Sequence, residues 1–353
     1  MGNPLSRYKV EIYSKSGQLL ADLSNKMTPK KILQQRNRAD QISMTADLFI
    51  LREFCNDIGT TVPALFAVNQ NEIRVSRNNK VLSSGVIVYA RPSVGVDSGT
   101  FELKAVGWLK LLAKRFTSIE QNYSGVDAGA IAWDLINQSQ LLPNGDLGFT
   151  QGTIQVSKTR DRSYSDKNIL DAILQLSEVI DGFDFEVTWD KKFNVYYPKI
   201  GTKRTDIQFT YPGNISDLSV VSDGTIVANH ITARGSGTGT GALRAVAEDI
   251  TSEQSYYRLE DIEDYNDVSE IDTLQEHADE DLRQSLSFNL MPDITLVGNI
   301  TPEYGTYNLG DEILITSNDT VVFGTLNDYF RIDSMELNID ENNKETVRIK
   351  LMK

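Results

Sequence analysis

The most suggestive chemical motif in the sequence is a glycine-rich loop at Gly235–Gly241. Its segment Gly237–Ala242 fits the G-x-G-x-x-A pattern of dinucleotide-binding turns and follows an alternating strand. Glu260 follows at a spacing suited to a ribose hydroxyl. Pyrophosphate binding also requires that the turn open a helix and that a parallel strand follow. Because no βαβ rhythm follows the loop, the sequence favours a glycine loop inside an antiparallel segment.

Metal and nucleophile chemistry has few residues to draw on. The acidic stretch Glu260–Asp267 offers oxygen atoms to calcium but lacks the residue order of an EF-hand loop. The two histidines, His230 and His277, lie far apart in sequence, and the single cysteine, Cys55, is interpreted as a packed small hydrophobe. The chain has no H-E-x-x-H, G-x-S-x-G or P-loop motif. We therefore predict no catalytic, cofactor-binding or metal-binding residues, no cofactor and no enzymatic activity.

Composition narrows the class of protein further. The 353 residues carry 35 Lys plus Arg against 49 Asp plus Glu, which gives a formal net charge of −14. Such an anionic chain is poorly suited to grasping nucleic-acid phosphates. One cysteine excludes an internal disulfide framework. We expect no membrane-spanning segment and no secretory signal peptide, so synthesis is expected in the cytoplasm of the producing cell.

The first third of the sequence reads as β structure. Residues alternate between apolar and polar from Ile42 to Ile50, with Leu48 on the apolar side, which is typical of a strand with one buried face. The apolar run at Gly85–Arg91 is predicted to resume the sheet, and alternation returns from Phe101 onward. A short helix is expected near residues 108–115. We predict a closed or nearly closed antiparallel barrel over residues 1–117.

The next segment, residues 118–205, is predicted to be a small α+β module. Apolar residues at helical spacing follow Asp127, which is a plausible N-cap. A second amphipathic helix is indicated by Ile169, Ile173, Leu176 and Ile180. Alternating residues after it predict a β-hairpin.

The last part of the chain returns to strands around an acidic helix. Residues 206–252 and 293–353 are predicted to form a second, discontinuous barrel, which ends in a hairpin that turns at Asp340–Lys344. Residues 253–292 are predicted to form an acidic helical insert. The predicted fold class is therefore mainly β with α+β inserts: two antiparallel β-barrels interrupted by a small α/β domain and a helical insert.

This order of elements resembles a known family. The segments YKVEIYS, ISMTADLFI, EIRVSRNNKVLSSGVIVYARP and FELKAVGWLKLLAKR look like the first barrel of the baseplate-hub or tail-tip proteins of tailed phages. The segment that runs from IVANHITARGSGTGTG through the acidic stretch to a helix near Thr273 resembles the corresponding part of siphophage hubs, which are related to the hubs of contractile injection systems. The resemblance covers nearly the whole chain.

The resemblance implies a structural virion protein rather than an enzyme. It implies a homotrimer at the distal end of the tail, in which two barrels per chain adapt a hexameric tail tube to a threefold tip and gate DNA passage. The implied partners are the distal tail protein, the tape-measure protein and central fibre or receptor-binding proteins. DNA would pass through the lumen without specific binding. Many relatives continue into a wall-degrading or fibre domain, so such an activity is expected on another chain.

Three other functions stay open at this stage. The first is a hub or spike adaptor of a contractile injection or secretion machine, which would share the fold. The second is a tail accessory protein that binds a receptor or carbohydrate, since the chain has 14 Tyr and 3 Trp. The third is an enzyme such as a glycosidase, because 49 acidic residues make some carboxylate pair inevitable.

Overall fold

A computed structural model describes residues 8–179, 181–221, 224–225, 227–287, 291–298 and 300–352. In the first third, the strands and short helices run in this order: β1 (Tyr8–Ser14), β2 (Leu19–Asp22), β3 (Thr28–Gln35), β4 (Gln41–Asp47), α1 (Leu48–Asp57), α2 (Val62–Leu65), β5 (Asn71–Arg77), β6 (Lys80–Val94), β7 (Gly99–Val106) and α3 (Leu109–Leu112).

The middle of the chain alternates strands and helices: β8 (Gln121–Asp127), α4 (Ala128–Gln140), β9 (Thr150–Ile154), β10 (Thr159–Tyr164), α5 (Ile169–Ser177), β11 (Asp184–Val187) and β12 (Lys192–Tyr196). The last part comprises β13 (Lys203–Tyr211), β14 (Ile215–Val221), β15 (His230–Arg234), β16 (Arg244–Glu248), α6 (Ile250–Ser255), β17 (Glu260–Asp264), α7 (Ile271–Ser287), β18 (Met291–Val297), β19 (Glu312–Ser317), α8 (Thr320–Phe323), β20 (Asn327–Ile339) and β21 (Glu345–Met352).

The mainly β prediction is confirmed, but the described residues form one large sheet and no closed barrel. Thirteen strands pair in the order β14-β18-β21-β20-β3-β4-β7-β6-β5-β1-β2, with β19 also pairing with β20 and β13 with β19. Most of these pairs are antiparallel, whereas β13 and β19 are parallel. The predicted division into two barrels, the first closed or nearly closed, is not confirmed, since strands from both halves of the described chain pair in this one sheet.

Strand β20 is the reason that the two halves are continuous. Along one edge it pairs with β21, and along the other it pairs first with β19 and then with β3. The pairing with β3 runs from Ser334 opposite Gln35 to Asn338 opposite Lys31. One hydrophobic core consequently extends from Val10 at the start of the chain to Leu351 at its end.

The alternating segment at residues 42–50 changes from strand to helix partway along. Strand β4 ends at Asp47, whose side chain accepts hydrogen bonds from the backbone N–H groups of Phe49 and Ile50 and so caps helix α1. Leu48, predicted to lie in the strand, is the first residue of the helix, and Ile50 is exposed. The Asp47 cap favours the helix over a continued strand, because it supplies an acceptor for N–H groups that have no partner within the first turn of a helix.

The α+β module packs on the outside of the large sheet. Helix α4 begins at its predicted N-cap: the Asp127 side chain accepts from Ala130 N, and the helix starts immediately after it. Helix α5 ends at Ser177, while Ile180 lies outside the described residues. The module core continues into the sheet through Val86 and the residues around Trp108. Strands β8 and β10 form one small sheet of the module, and β9, β11 and β12 form another.

The segment predicted to start the second barrel contributes two strands to a different sheet. Strands β15 and β16 pair with each other and β15 with β17, so these three strands form a sheet of their own, on which α7 packs. Its small core is built from Ala233, Ala245, Ala247, Val268, Leu274 and Ala278. The second half of the large sheet therefore takes β13, β14 and β18–β21, while residues 230–248 belong with the acidic helix.

Candidate assembly surfaces and the contacts that hold them

A buried ion pair joins the two ends of the chain. Arg77 at the end of β5 donates from Nε and Nη2 to the two carboxylate oxygens of Glu345, at 2.9 and 2.7 Å. The Tyr8 hydroxyl donates to the same carboxylate, and Arg77 Nη1 donates to Tyr304 O at 3.0 Å. Glu345 is fully buried. This cluster fixes the N-terminal strand against the C-terminal hairpin.

A second buried carboxylate fastens the α+β module to the large sheet. Asp184, at the start of β11, accepts from Arg36 Nη1 at 2.7 Å and from Asn37 Nδ2 at 3.1 Å, both in the turn after β3. It also accepts from Arg331 on β20 and from the backbone N–H of Ile200 at 2.8 Å. Burial acts to raise the pKa of Asp184, but the two guanidinium groups outweigh it and lower that pKa. Asp184 thus links the module to both halves of the sheet.

A third carboxylate, Asp40, lies in a crevice of about 230 Å³ between the sheet and the module. The Ser83 hydroxyl donates to Asp40 Oδ2 at 2.7 Å. Burial raises the pKa of Asp40 to about 7, and the nearby charge of Glu186 acts in the same direction. Asp40 is therefore a half-buried acid whose pKa is raised to near neutrality.

Replacing Asp40 by asparagine is expected to flatten the pH dependence of stability between about pH 4 and pH 7. The folded-state pKa is raised, so the folded protein binds more protons than the unfolded chain in this window, and the free energy of unfolding falls as pH rises through it. Asp40→Asn should be more stable than the parent above pH 7 by a few kcal/mol, since a tenfold change in an equilibrium constant is worth about 1.4 kcal/mol. Urea unfolding at several pH values measures this, and an unchanged pH profile would contradict it.

The large sheet leaves edges open within the described residues. Strand β2 ends the sheet on one side, β14 and β13 end its two branches on the other, and no described strand pairs with their outer edges. Leu19 and Leu20 on β2 and Val221 on β14 are exposed apolar side chains. Such edges are ready templates for a strand of another chain.

A long hairpin projects from the sheet. Strands β6 and β7 stay paired out to Val94 opposite Gly99, and every residue from Arg91 to Ser98 is exposed. At the tip, Val94 is 72% and Val96 is 97% exposed. A projecting tip with two exposed valines is a candidate contact for another subunit.

The acidic segment forms an exposed edge strand. All five residues of β17, Glu260–Asp264, are exposed, and β15 pairs with it on one side. Arg258 pairs with Glu260 and Arg234 with Asp264, each at 2.7 Å. Asp261 and Glu263 leave the strand negative, which makes it a candidate docking face for a basic partner.

The glycine loop at residues 235–241 joins two antiparallel strands, β15 and β16. Gly235 N donates to Leu243 O at 2.8 Å, and a Cβ at Gly235 would come within 2.7 Å of Val268 O, so a side chain has no room there. Gly237 has φ +107°, a region that favours glycine. The conformation of this hairpin loop therefore accounts for the glycines at positions 235 and 237.

The structure separates the two histidines and encloses the cysteine. His277 is buried on α7, stacks on Tyr265 with ring centroids 4.0 Å apart, and has its pKa lowered to about 3 by burial and by Arg162 and Arg160. Cys55 is buried on α1, which raises the pKa of its thiol. Both side chains are thus poorly placed for chemistry with solvent.

His230 lies in a cluster that sequence reasoning missed. Its Nδ1 atom is 3.2 Å from Glu248 Oε2 and 3.3 Å from Glu253 Oε1. His230 and Glu248 are opposite one another in the β15–β16 pairing. The paired residues lie at equal distances in sequence on either side of the glycine loop. Predicting residues 230–248 to be a hairpin would therefore have placed His230 opposite Glu248. Glu253 arrives by the turn into α6, which strand periodicity does not reveal.

No helix among the described residues is long and apolar enough to cross a lipid bilayer.

Comparison with solved structures identifies the fold. No family model and no curated protein matches the sequence. A tail protein from Neisseria meningitidis MC58 superposes with a TM-score of 0.69 at 14% identity, covering 98% of this chain and 96% of that one. The 43 kDa tail protein of prophage MuSo2 from Shewanella oneidensis gives a TM-score of 0.66 at 14% identity, with 97% and 98% covered.

A component of the type VI secretion system of E. coli, the c3393 protein, is also similar. Its TM-score is 0.54 at 12% identity, with 92% of this chain and 73% of that one covered. The chain thus has the fold shared by phage tail proteins and related secretion-system proteins. The resemblance to tail hub proteins predicted from the sequence is confirmed at the level of the fold.

Proposed function

We propose that this protein is a structural component of a phage tail, which forms the homotrimeric hub at the distal end of the tail tube. The observation that carries the proposal is the agreement in fold with two phage tail proteins over nearly the full length of all three chains. The described residues offer open sheet edges, a projecting hairpin and an acidic face, all of which suit assembly. Enzymatic activity forms no part of the proposed role.

In the proposed ring, each chain contributes the two halves of its large sheet, so three chains present six similar units to a hexameric tube. The pairing of β3 with β20 supports this arrangement, because it holds the two halves of one chain in a fixed relation. The open edges of β2 and β14 would meet edges of neighbouring chains. Pairing them would satisfy backbone groups and cover exposed leucines, which removes a liability for aggregation.

The remaining surfaces suit other tail components. The hairpin tip at residues 91–98 and the α+β module would contact the distal tail protein and central fibre or receptor-binding proteins, and the tape-measure protein would meet the ring at its lumen. A net charge of −14 suits a ring that DNA crosses without binding and whose opening gates ejection, since an anionic lining repels phosphates. The protein would be made in the host cytoplasm and reside at the tail tip of the virion.

Light scattering and negative-stain microscopy of the purified protein test the proposal. We expect a species of three times the 39.5 kDa chain mass and rings with six lobes. A monomer at every concentration, both alone and mixed with tail-tube protein, would contradict a hub. Binding of the isolated protein on a glycan array would instead favour a receptor-binding accessory. Cell-wall turnover abolished by one acidic substitution would favour an enzyme.

A paired variant probes the sheet edge. Changing Leu19 and Leu20 together to lysine should leave the monomer folded but shift the trimer toward monomer, because two exposed apolar side chains of the edge are replaced by charges. Val156→Lys is the matched control, since Val156 is also an exposed apolar side chain, 81% exposed against 50% for Leu19 and 37% for Leu20, but lies in the peripheral module. Sedimentation velocity measures the distribution. A trimer that tolerates the β2 change as well as the control would exclude β2 from the interface.

A hub of a contractile injection or secretion machine is the second candidate. The similarity to the E. coli secretion-system component favours it, since that protein shares the fold over 92% of this chain. The genes that neighbour this one distinguish the two settings, because a phage tail module carries tape-measure and capsid genes and a secretion cluster lacks capsid genes.

A further inference from the structure

The side-chain cluster at one end of the three-stranded sheet has the composition of a metal site. His230 opens β15, Glu248 closes β16, and Glu253 lies on the short helix α6 that follows. One imidazole nitrogen and one carboxylate oxygen from each glutamate lie within 4.8 Å of one another. Imidazole and carboxylate together are ligands that zinc accepts.

The spacing of the ligand atoms matches a small tetrahedral ion. Zinc bonds of about 2.0–2.1 Å place neighbouring ligand atoms of a tetrahedron about 3.3–3.4 Å apart. His230 Nδ1 lies 3.2 Å from Glu248 Oε2 and 3.3 Å from Glu253 Oε1, so both edges at the histidine already have this length. Calcium, with bonds of about 2.3–2.6 Å and six or more oxygen ligands, fits less well.

The backbone around the cluster is held by buried hydrogen bonds. Asn229 is fully buried, and its side chain donates to Ser252 Oγ and to Tyr257 O and accepts from Leu259 N. Asp249 N donates to Asn229 O at 2.9 Å, and the Asp249 side chain caps α6. The strand that carries the histidine and the helix that carries Glu253 are therefore fixed relative to each other.

Among the histidine and cysteine side chains of the described residues, His230 is the one that a cation from solvent can reach. The His230 side chain is partly exposed, as are both glutamates. His277 and Cys55 are each 1% exposed and lie elsewhere. A cation that enters from solvent consequently meets one nitrogen ligand, flanked by two carboxylates that neutralise its two charges.

We propose that His230, Glu248 and Glu253 form a binding site for a zinc-class divalent cation, with solvent completing the coordination. Binding would tie β15, β16 and α6 together beside the acidic edge strand β17. The site goes beyond the proposed hub function and stands independently of it.

The hydrogen bonds of His230 indicate which ring nitrogen carries a proton before the metal binds. Arg258 Nη2 lies 3.0 Å from His230 Nε2, and since a guanidinium only donates, Nε2 is the lone-pair nitrogen and Nδ1 carries the proton. Coordination through Nδ1 leaves one ring proton, which must move to Nε2, while Arg258 turns away to its partner Glu260.

Calorimetry of the full-length protein with zinc chloride, after chelator treatment, tests the site. We expect one zinc per chain, with His230→Gln and Glu253→Gln each weakening binding by more than about tenfold. Arg258→Ala should bind more tightly, because the donor that competes for Nε2 is gone. Glu270→Gln, an exposed acid outside the cluster, is the matched control and should leave the affinity unchanged.

A spectroscopic readout separates the site from general attraction to acids. In ¹⁵N spectra of the two histidine rings, zinc should shift the His230 nitrogens and exchange the Nδ1 and Nε2 proton assignments, whereas the buried His277 should not respond. Absence of zinc binding would overturn the proposal. So would zinc binding that His230→Gln does not weaken, or calcium binding of equal affinity, since either shows only nonspecific attraction to carboxylates. Circular dichroism confirms that each variant is folded.

Discussion

Replacing Glu345 by glutamine is expected to lower the free energy of unfolding by about 3–5 kcal/mol, because the change leaves a buried guanidinium without its counter-charge. Arg77 and Glu345 are 6% and 0% exposed at their side chains and form two parallel hydrogen bonds. The Tyr8 hydroxyl loses its charged acceptor in the same variant. Since these residues come from β1, β5 and β21, the loss should loosen the contact between the two ends of the chain.

Urea unfolding of the variant and the parent at neutral pH measures this effect. Glu102→Gln provides the matched control, because the Arg91–Glu102 pair has the same 2.7 Å separation but is exposed, and such pairs contribute about 0–1 kcal/mol. The double change Arg77→Met with Glu345→Leu should cost less than Glu345→Gln alone, since no buried charge is left unpaired. A Glu345→Gln variant as stable as the Glu102→Gln control would show that the pair does not hold the chain ends.

The Asp184→Asn variant is expected to lose about 3 kcal/mol or more of stability, and the α+β module should be released first. Asp184 is buried and receives hydrogen bonds from Arg36, Asn37, Arg331 and the Ile200 backbone. Neutralising it takes the shared counter-charge from two half-buried guanidinium groups, of which Arg36 keeps only its pair with Asp333. Because these partners lie on both halves of the sheet, the module loses its shared anchor.

The same variant should change the acid limb of the stability profile. The pKa of Asp184 is lowered in the folded protein, so its contribution is present above the unfolded-state pKa near 3.8 and is lost as pH falls through the folded-state value. Asp184→Asn should remove that part of the acid destabilisation.

Limited proteolysis and thermal unfolding report release of the module. Asp190→Asn, which removes an exposed partner of Lys192 in the same module, should have a small effect. Equal effects of the two changes would contradict the anchoring role.

Local sequence patterns predicted many strands and helices, because an element that buries one face has apolar residues at a regular spacing. Alternation at residues 335–351 predicted the hairpin of β20 and β21, and Asp127 predicted the start of α4. The pattern at residues 42–50 was ambiguous, since Leu48, Leu51 and Cys55 also form a helical stripe, and the hydrogen bonds of Asp47 decided for the helix. The candidate assembly surfaces could not be predicted from local sequence patterns, because the exposure of a residue depends on which other parts of the chain pack over it.

Residue order alone was enough to predict the mainly β class and to establish the acidic character and the lack of a recognisable catalytic motif. That β3 pairs with β20, that both halves share one sheet and that His230 lies beside Glu253 could be seen only in the folded chain. Pairing of distant strands depends on backbone hydrogen bonds that nearly every residue can make, so it leaves little trace in residue types. The roles of the buried carboxylates Asp184 and Glu345 likewise could not be predicted from the sequence. Their arginine partners are distant in the chain, and only folding brings them within hydrogen-bonding distance.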